Sequence, residues 1–211
     1  GQLLTRMQLE TVLKKDGCAA SDPDRDCLKI CVVERHRATG NVGLGLVRGF
    51  GLRKGAIATS VAHDSHNIIC TGVSDEEMAL AVKTVGKQGG GLVVARGADI
   101  AAQVPLPIAG LMWDGEPAKL VRRLSDASAA ARELGCPLES PFMMLSFLAL
   151  PVIPELKLTD KGLVDVTRSW YPAKPEQQVR LDPELARLYG TSTEAVGATL
   201  QAAVDGVPAG A

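Results

Sequence analysis

The chain is poor in aromatic side chains, in histidine and in net charge. Only 3% of its 211 residues are Phe, Trp or Tyr, so the core has to be built from aliphatic side chains. It has three histidines, which is few for an enzyme whose metal centre would need about three protein ligands. The 23 basic and 24 acidic residues leave a formal charge of −1, which excludes a field that attracts nucleic acid or an anionic membrane.

Long apolar runs and a secretory pattern are also absent from the sequence. No stretch approaches the ~20 apolar residues of a membrane span, and the first residues do not have the layout of a signal peptide. The five cysteines are an odd number at irregular spacing, which favours reduced thiols and a cytoplasmic location over a disulfide framework. At 211 residues the chain is shorter than the ~250 residues of a typical eightfold barrel, so we expect no TIM barrel in it.

The first part of the sequence is typical of short strands separated by polar loops. Alternating apolar residues over 3–13 predict a half-buried strand, and the polar stretch 14–26 predicts a loop. Residues 27–33 are apolar except for Lys29 and predict a more deeply buried strand. The glycines of residues 40–55 predict a loop around a short apolar piece. Two further short strands are predicted at residues 56–61 and 67–73.

The rest of the sequence predicts two main helices and a hairpin. Ser74 and Glu77 have the spacing of a capping box and begin a helix that ends near Lys87. A second apolar stripe of helical period predicts a helix from Pro117 to Leu134. Between them, residues 92–95 and 100–106 predict a hairpin. These elements indicate an α+β fold with a mixed, largely antiparallel sheet flanked by two main helices. We expect this domain to cover residues 1–168 and a polar linker with a weakly helical tail to cover 169–211.

The densest group of reactive side chains lies between the two strands predicted at 56–61 and 67–73. It comprises His63, Asp64, Ser65, His66 and Asn67. Imidazole and carboxylate groups bind divalent metals and transfer protons, so these residues form a candidate active-site loop. A strand-to-strand turn explains Asp64, Ser65 and Asn67 equally well, but it does not require two histidines.

Other motifs give weaker signals. The glycines of residues 40–51 match neither the dinucleotide fingerprint nor the P-loop, and Gly89–Gly91 follows a predicted helix where a phosphate site would precede one. Cys27 and Cys31 lie in a predicted strand among apolar residues, which indicates buried structural thiols. The sequence motifs of the zinc nucleobase deaminases do not occur.

Four motifs carry a resemblance to a known family. They are residues 51–68 (GLRKGAIATSVAHDSHNI), 89–94 (GGGLVV), 106–112 (LPIAGLM) and 148–154 (LALPVIP). In this order and spacing they closely resemble the C-terminal domain of bacterial adenine deaminase, over about Val32 to Val166. The segment after Trp170 is unlike the usual ending of that family.

The resemblance implies a part of a metal-dependent amidohydrolase of purine metabolism, which converts adenine and water to hypoxanthine and ammonia. It implies a divalent metal, manganese or iron, for the full enzyme, held by a catalytic barrel that this chain does not contain. We therefore expect no metal site and no cofactor in this chain, and we expect the isolated chain to be inactive. We also expect a homo-oligomer, with neither nucleic acid nor membrane as a partner.

Three functions stay open at this point. The first is the adenine deaminase C-terminal domain, in which the His63–Asn67 loop would face the mouth of the barrel. The second is a non-catalytic oligomerisation or interaction domain, served by the apolar patches Pro107–Met112 and Phe142–Ile153. The third is a small independent metal hydrolase that uses His63, Asp64 and His66, although this ligand set is incomplete.

Overall fold

The computed structural model of the protein describes residues 5–15, 17–153 and 156–165. The predicted tail, residues 169–211, lies outside the described residues. None of the helices in the described part is long and apolar enough to cross a membrane. Strands and helices occur in the order β1 (Leu13–Lys15), β2 (Cys18–Ala20), β3 (Leu28–Val33), β4 (Val42–Val47), β5 (Ala56–Thr59), β6 (Ile68–Gly72), α1 (Asp75–Lys87), β7 (Gly91–Arg96), β8 (Asp99–Pro105), α2 (Pro117–Glu133), α3 (Pro141–Phe147), β9 (Leu156–Thr159) and β10 (Gly162–Asp165).

A six-stranded sheet forms the centre of the fold. Its strands lie in the order β4-β3-β6-β5-β7-β8, and all neighbours are antiparallel. Every residue of β5 and β6 is buried, because both faces of these central strands are covered. β1 pairs with β2 and β9 pairs with β10, each as a separate two-stranded ribbon. The described strands form no closed barrel, so the sheet is open and has edges at β4 and β8.

Helices cover the two faces of this sheet. Met78, Ala81 and Val85 of α1 pack on small and apolar side chains of one face, such as Ala58 and Cys70. On the opposite face α2 and α3 pack against a second cluster, to which they contribute Ala127, Ala130, Ala131, Leu134, Phe142 and Leu145. The predicted α+β fold is therefore confirmed, with one short helix more than the two main helices expected.

The elements with strong local signals form where the sequence predicts them. α1 begins after Ser74, whose hydroxyl accepts a hydrogen bond from the Glu77 N–H at 3.2 Å. α2 covers the predicted range, and Gly135 follows it at φ +107°. β7 and β8 form the predicted hairpin, with β8 at the edge of the sheet. Capping and helical period are local properties, so no tertiary information is needed to predict them.

The predicted strand and loop are both wrong for the described residues between 5 and 26. In the described part of the predicted strand, residues 5–12 are irregular, and Met7 and Leu9 are 63% and 98% exposed. Alternation alone does not make a strand, because a strand also needs a partner strand to pair with. The predicted loop at 14–26 instead contains β1, β2 and a one-turn 3-10 helix at Pro23–Arg25.

The glycine-rich segment 40–55 contains strand β4, which the sequence analysis did not predict as a strand. A Cβ on Gly43 would lie 1.8 Å from the carbonyl oxygen of Thr159, so only glycine lets the β9–β10 ribbon approach this strand. In this ribbon, residues 156–162 form β9, a turn and the start of β10.

Helix α3 was not predicted, although all of it except Pro141 lies in the apolar stretch Phe142–Ile153. Its seven residues are too few for the helical period to show in the sequence. The helix is amphipathic: Phe142 and Leu145 are buried, whereas Met143 is 58% exposed. Only part of the predicted apolar patch is therefore surface.

Candidate functional site

Residues 60–67 connect β5 to β6 and form the tight turn predicted from their composition. The N–H of His66 donates to the carbonyl oxygen of Ala62 at 2.6 Å, and the N–H of Val61 donates to the Thr59 hydroxyl at 3.0 Å. His63 and His66 are half-buried, and Asn67 is buried. The other two predicted site residues, Asp64 and Ser65, are exposed. The turn therefore points its two histidines partly inward.

The two histidine rings of the turn contact each other. Their centroids are 5.7 Å apart at an interplanar angle of 81°, which is an edge-to-face arrangement. The His63 ring also lies 6.0 Å from the ring of Phe147 at the end of α3. Burial is the largest of the effects that lower the pKa of His66 below its ordinary value. The charges of His63, Arg35 and His36 lower this pKa further. The His66 ring is therefore uncharged at neutral pH.

Arg35 holds the turn in place, and sequence reasoning missed this residue. Its Nε donates to the carbonyl oxygen of His66 at 2.6 Å, and its Nη2 donates to the carbonyl oxygen of Ala109 at 2.7 Å. One guanidinium thus joins the histidine turn to the turn that contains Ala109. Arg35 follows β3, and β3 lies beside β6 in the sheet. The strand order that brings Arg35 to the turn cannot be derived from the sequence.

All three histidines of the chain meet at this turn. A ring nitrogen of His36, Nε2, lies 2.7 Å from the carbonyl oxygen of Ser65, so the third histidine contacts the backbone of the turn. No sequence signal predicts that His36 reaches this turn. The β3–β4 connection brings it here together with Arg35.

Ser60 fixes the neighbouring turn around Gly110. Its hydroxyl donates to the Gly110 carbonyl oxygen at 2.6 Å and accepts from the Gly91 N–H at 2.7 Å. Ser60 is completely buried, so both hydrogen bonds are shielded from water. Beyond this anchor, Ile108 and Met112 are 44% and 56% exposed and present apolar side chains beside the histidine turn.

A polar cleft of about 490 Å³ lies on the other side of the turn. Asp160 lies at its wall, where its two carboxylate oxygens accept from the amides of Asn41 (3.2 Å) and Asn67 (3.3 Å). Ser65 and Asn67 of the predicted loop therefore line this cleft. Its lining residues are Glu34, His36, Arg37, Thr39, Asn41, Ser65, Asn67, Asp160 and Lys161.

Comparison with known proteins places the chain in a family. The profile of the adenine deaminase C-terminal domain matches residues 2–169, a range that includes all described residues. The chain belongs to this family. The similarity recognised in the four sequence motifs is thereby confirmed, and it extends beyond the range those motifs cover.

Several adenine deaminases are similar to this C-terminal domain. The protein named adenine deaminase from Desulfatibacillum aliphaticivorans is 59% identical over 165 residues, which are 78% of this chain and 29% of that protein. Those from Methanothrix thermoacetophila and Archaeoglobus fulgidus are 54% and 51% identical over 165 and 166 residues, or 78% and 79% of this chain and 29% of each relative. The chain thus spans less than a third of the length of the relatives it matches.

The donor groups of the turn do not fit the divalent metal that the resemblance implies for the full enzyme. Among residues 5–15, 17–153 and 156–165, no three His, Cys, Asp or Glu side chains come close enough to hold a metal ion. His63 and His66 contact edge to face, and His36 is directed at the carbonyl oxygen of Ser65. We therefore derive no chemical step through a metal in this domain.

The carboxylate of Glu34 organises the β3–β4 connection that carries Arg35 and His36. It accepts hydrogen bonds from the N–H groups of His36, Arg37 (2.7 Å) and Thr39 (3.0 Å), and from the Thr39 hydroxyl (3.1 Å). These hydrogen bonds lower the pKa of Glu34 to about 2. The bond from the Thr39 N–H has the largest effect.

We expect protonation of Glu34 to release this connection in acid. The folded-state pKa lies below the unfolded value of about 4.3, so the stabilisation is complete above that value and is lost as the pH falls through about 2. Carbon-13 NMR of the Glu34 carboxyl measures the pKa directly. The variant Glu34→Gln should lose the acid transition of the Arg37 and Thr39 amide signals. Titration of Glu34 near 4.3 would contradict the assignment.

Proposed function

We propose that this domain is the C-terminal part of an enzyme that converts adenine and water to hypoxanthine and ammonia. The match to the adenine deaminase from Desulfatibacillum aliphaticivorans, at 59% identity over 165 residues, carries the proposal. Because the relatives are more than three times as long as the matched stretch, the groups that break the carbon–nitrogen bond have ample room outside it. We infer that the catalytic metal and its barrel belong to that remainder.

We further propose that the turn from His63 to Asn67 faces the catalytic part of the longer enzyme. An uncharged imidazole can accept or donate a hydrogen bond, as the ring nitrogens and amino group of adenine require. Nδ1 of His66 is buried and has no hydrogen-bond partner in the described part of the chain, so its hydrogen-bonding capacity is unused there. In this arrangement Arg35 would be a positioning residue, since it holds the backbone of His66.

A chimera tests the proposed function. The 165-residue stretch of the Desulfatibacillum aliphaticivorans adenine deaminase would be replaced by the matching residues of this chain. We expect the chimera to keep kcat/KM for adenine within about tenfold of the parent, because the domain should dock and close the site as the parent's own does. Ammonia release and hypoxanthine formation are the measurements. A chimera that folds and unfolds like the parent but does not deaminate adenine would contradict the proposal.

Substitution of the histidine pair in that chimera tests the proposed role of the turn. We expect the double variant His63→Ala, His66→Ala to lower kcat/KM by about 10²-fold, since groups that transfer protons or bind the base contribute on this scale. The unfolding temperature should change little, because both rings are only half-buried. His36→Ala is the matched control, as it removes a third imidazole that contacts only the backbone of Ser65. An equal loss of activity in this control would indicate a general disturbance of the turn, and unchanged kinetics in the double variant would refute the role.

An interaction function is the second candidate, and the exposed side chains Ile108, Met112 and Met143 favour it. Exposed apolar side chains are typical of surfaces that bind another protein surface. Light scattering on the purified chain distinguishes a homo-oligomer from a monomer. A stable oligomer that does not bind adenine would favour this candidate over a role at the purine site.

A further inference from the structure

Two cysteines face each other across the central sheet. Cys31 on β3 and Cys70 on β6 are directly opposite in the antiparallel register. Residues in such a position have Cα atoms about 4.5 to 5.5 Å apart, which lies inside the range of about 4.4 to 6.8 Å that a disulfide spans. Both thiols are free in this structure. Disulfide closure therefore requires no movement of the backbone beyond ordinary adjustment.

The two thiols also interact with each other. Both belong to the same buried cluster beneath α1. The neighbouring Cys70 thiol lowers the pKa of Cys31, whereas burial raises the pKa of Cys70. Cys31 is 6% exposed and Cys70 is completely buried. Cys31 is consequently the thiol that ionises first and that a small reagent reaches first.

The remaining cysteines are not arranged in this way. Cys18 is exposed and lies opposite Lys15 in the β1–β2 ribbon. Cys136 follows α2 and is buried in the core on the opposite face of the sheet from Cys31 and Cys70. Cys31 and Cys70 are thus the two cysteines that lie opposite each other on paired strands and belong to the same buried cluster.

We propose that Cys31 and Cys70 form a reversible disulfide across β3 and β6 when the protein is exposed to hydrogen peroxide. The Cys31 thiolate attacks a peroxide oxygen, the O–O bond breaks, and the leaving hydroxide takes a proton to become water. The resulting sulfenic acid is attacked by the sulfur of Cys70, so that the S–S bond forms, the S–O bond breaks and a second water leaves with the thiol proton. Two thiols are oxidised and one peroxide is reduced. A small dithiol restores the reduced pair by exchange.

The disulfide would close a ring that contains the candidate site. Arg35, His36 and the whole turn from His63 to Asn67 lie between the two cysteines in the sequence. Cross-linking the strands that carry these segments reduces the freedom of the unfolded chain and limits separation of β3 from β6. This inference does not depend on the proposed adenine deaminase function.

Peptide mapping of the full chain tests the proposal. The protein is treated with hydrogen peroxide at a dose that oxidises the exposed Cys18, then unfolded, alkylated with N-ethylmaleimide and digested with trypsin. Cleavage after Lys29 separates Cys27 from Cys31, so a cross-link joins peptide 30–35 to peptide 55–83. We expect most molecules to yield this linked pair, which lacks two hydrogen atoms relative to the free peptides and disappears with dithiothreitol.

Variants and stability measurements complete the test. Cys18→Ser should keep the linked pair, and Cys70→Ser, checked for folding by circular dichroism, should abolish it. The oxidised wild-type protein should unfold at a higher temperature than the reduced protein, and dithiothreitol should reverse the shift. Recovery of both Cys31 and Cys70 as alkylated thiols at that dose would overturn the proposal. Conversion of Cys31 to a sulfinic acid without a link to Cys70 would overturn it equally.

Discussion

The isolated chain, supplied with adenine and with Mn²⁺ or Fe²⁺, is expected to release no ammonia above the uncatalysed background. Hydrolysis of the amino group needs an activated water, and metal enzymes obtain it by lowering the pKa of a bound water. In the described part of the chain no three potential ligands converge. Among the described residues, Nδ1 of His66 has no hydrogen-bond partner, so no carboxylate there orients this nitrogen as a general base would require.

The control for this prediction is the chimera with the Desulfatibacillum aliphaticivorans remainder, assayed at the same domain concentration and with the same metals. Ammonia formation by the chimera alone would locate the essential groups outside this domain. Metal-dependent turnover by the isolated chain would contradict the prediction and would revive the interpretation of the His63–His66 turn as an independent hydrolase site. Elemental analysis of the isolated chain provides a second, activity-independent measurement.

Gly91→Ala is expected to destabilise the domain by at least about 3 kcal/mol, which corresponds to a decrease of about 10 °C in the unfolding temperature. Gly91 begins β7 at φ +122°, where a Cβ is strained, and this Cβ would lie 1.9 Å from the carbonyl oxygen of Val104. The same residue donates its N–H to the buried Ser60 hydroxyl at 2.7 Å. Any shift that relieves the clash therefore disturbs the β7–β8 pairing and the anchor of the Gly110 turn.

Two other glycines provide matched controls for this substitution. Gly89 has φ +79° with open space around a Cβ, so Gly89→Ala adds strain without a clash and should cost about 1 kcal/mol. Gly86 lies within α1 with open space as well, and Gly86→Ala should stabilise the helix by about 0.5 to 1 kcal/mol. Thermal unfolding measured by circular dichroism gives all three values. Equal unfolding temperatures for the Gly91 and Gly89 variants would show that the close approach to Val104 does not matter.

Local sequence signals were sufficient for part of the fold. Helices α1 and α2, the β7–β8 hairpin and the buried strand β3 follow from capping residues, helical period, glycine stops and mostly apolar runs. Each of these signals lies within about a dozen consecutive residues, so it can be identified without knowing the tertiary structure. The alternation over residues 3–13 shows the limit of such signals. Residues 5–12 alternate as a strand would, but they form no strand, because pairing with a partner strand is decided outside the segment.

The sequence by itself determined the α+β class, the two main helices, the family and the turn that carries His63 and His66. Tertiary structure decided what surrounds that turn. The order of strands in the sheet places β3 beside β6, and so brings Arg35 and His36 to the turn and Cys31 opposite Cys70. Strand order depends on contacts between residues far apart in the chain, and these contacts leave no periodic or local trace in a single sequence.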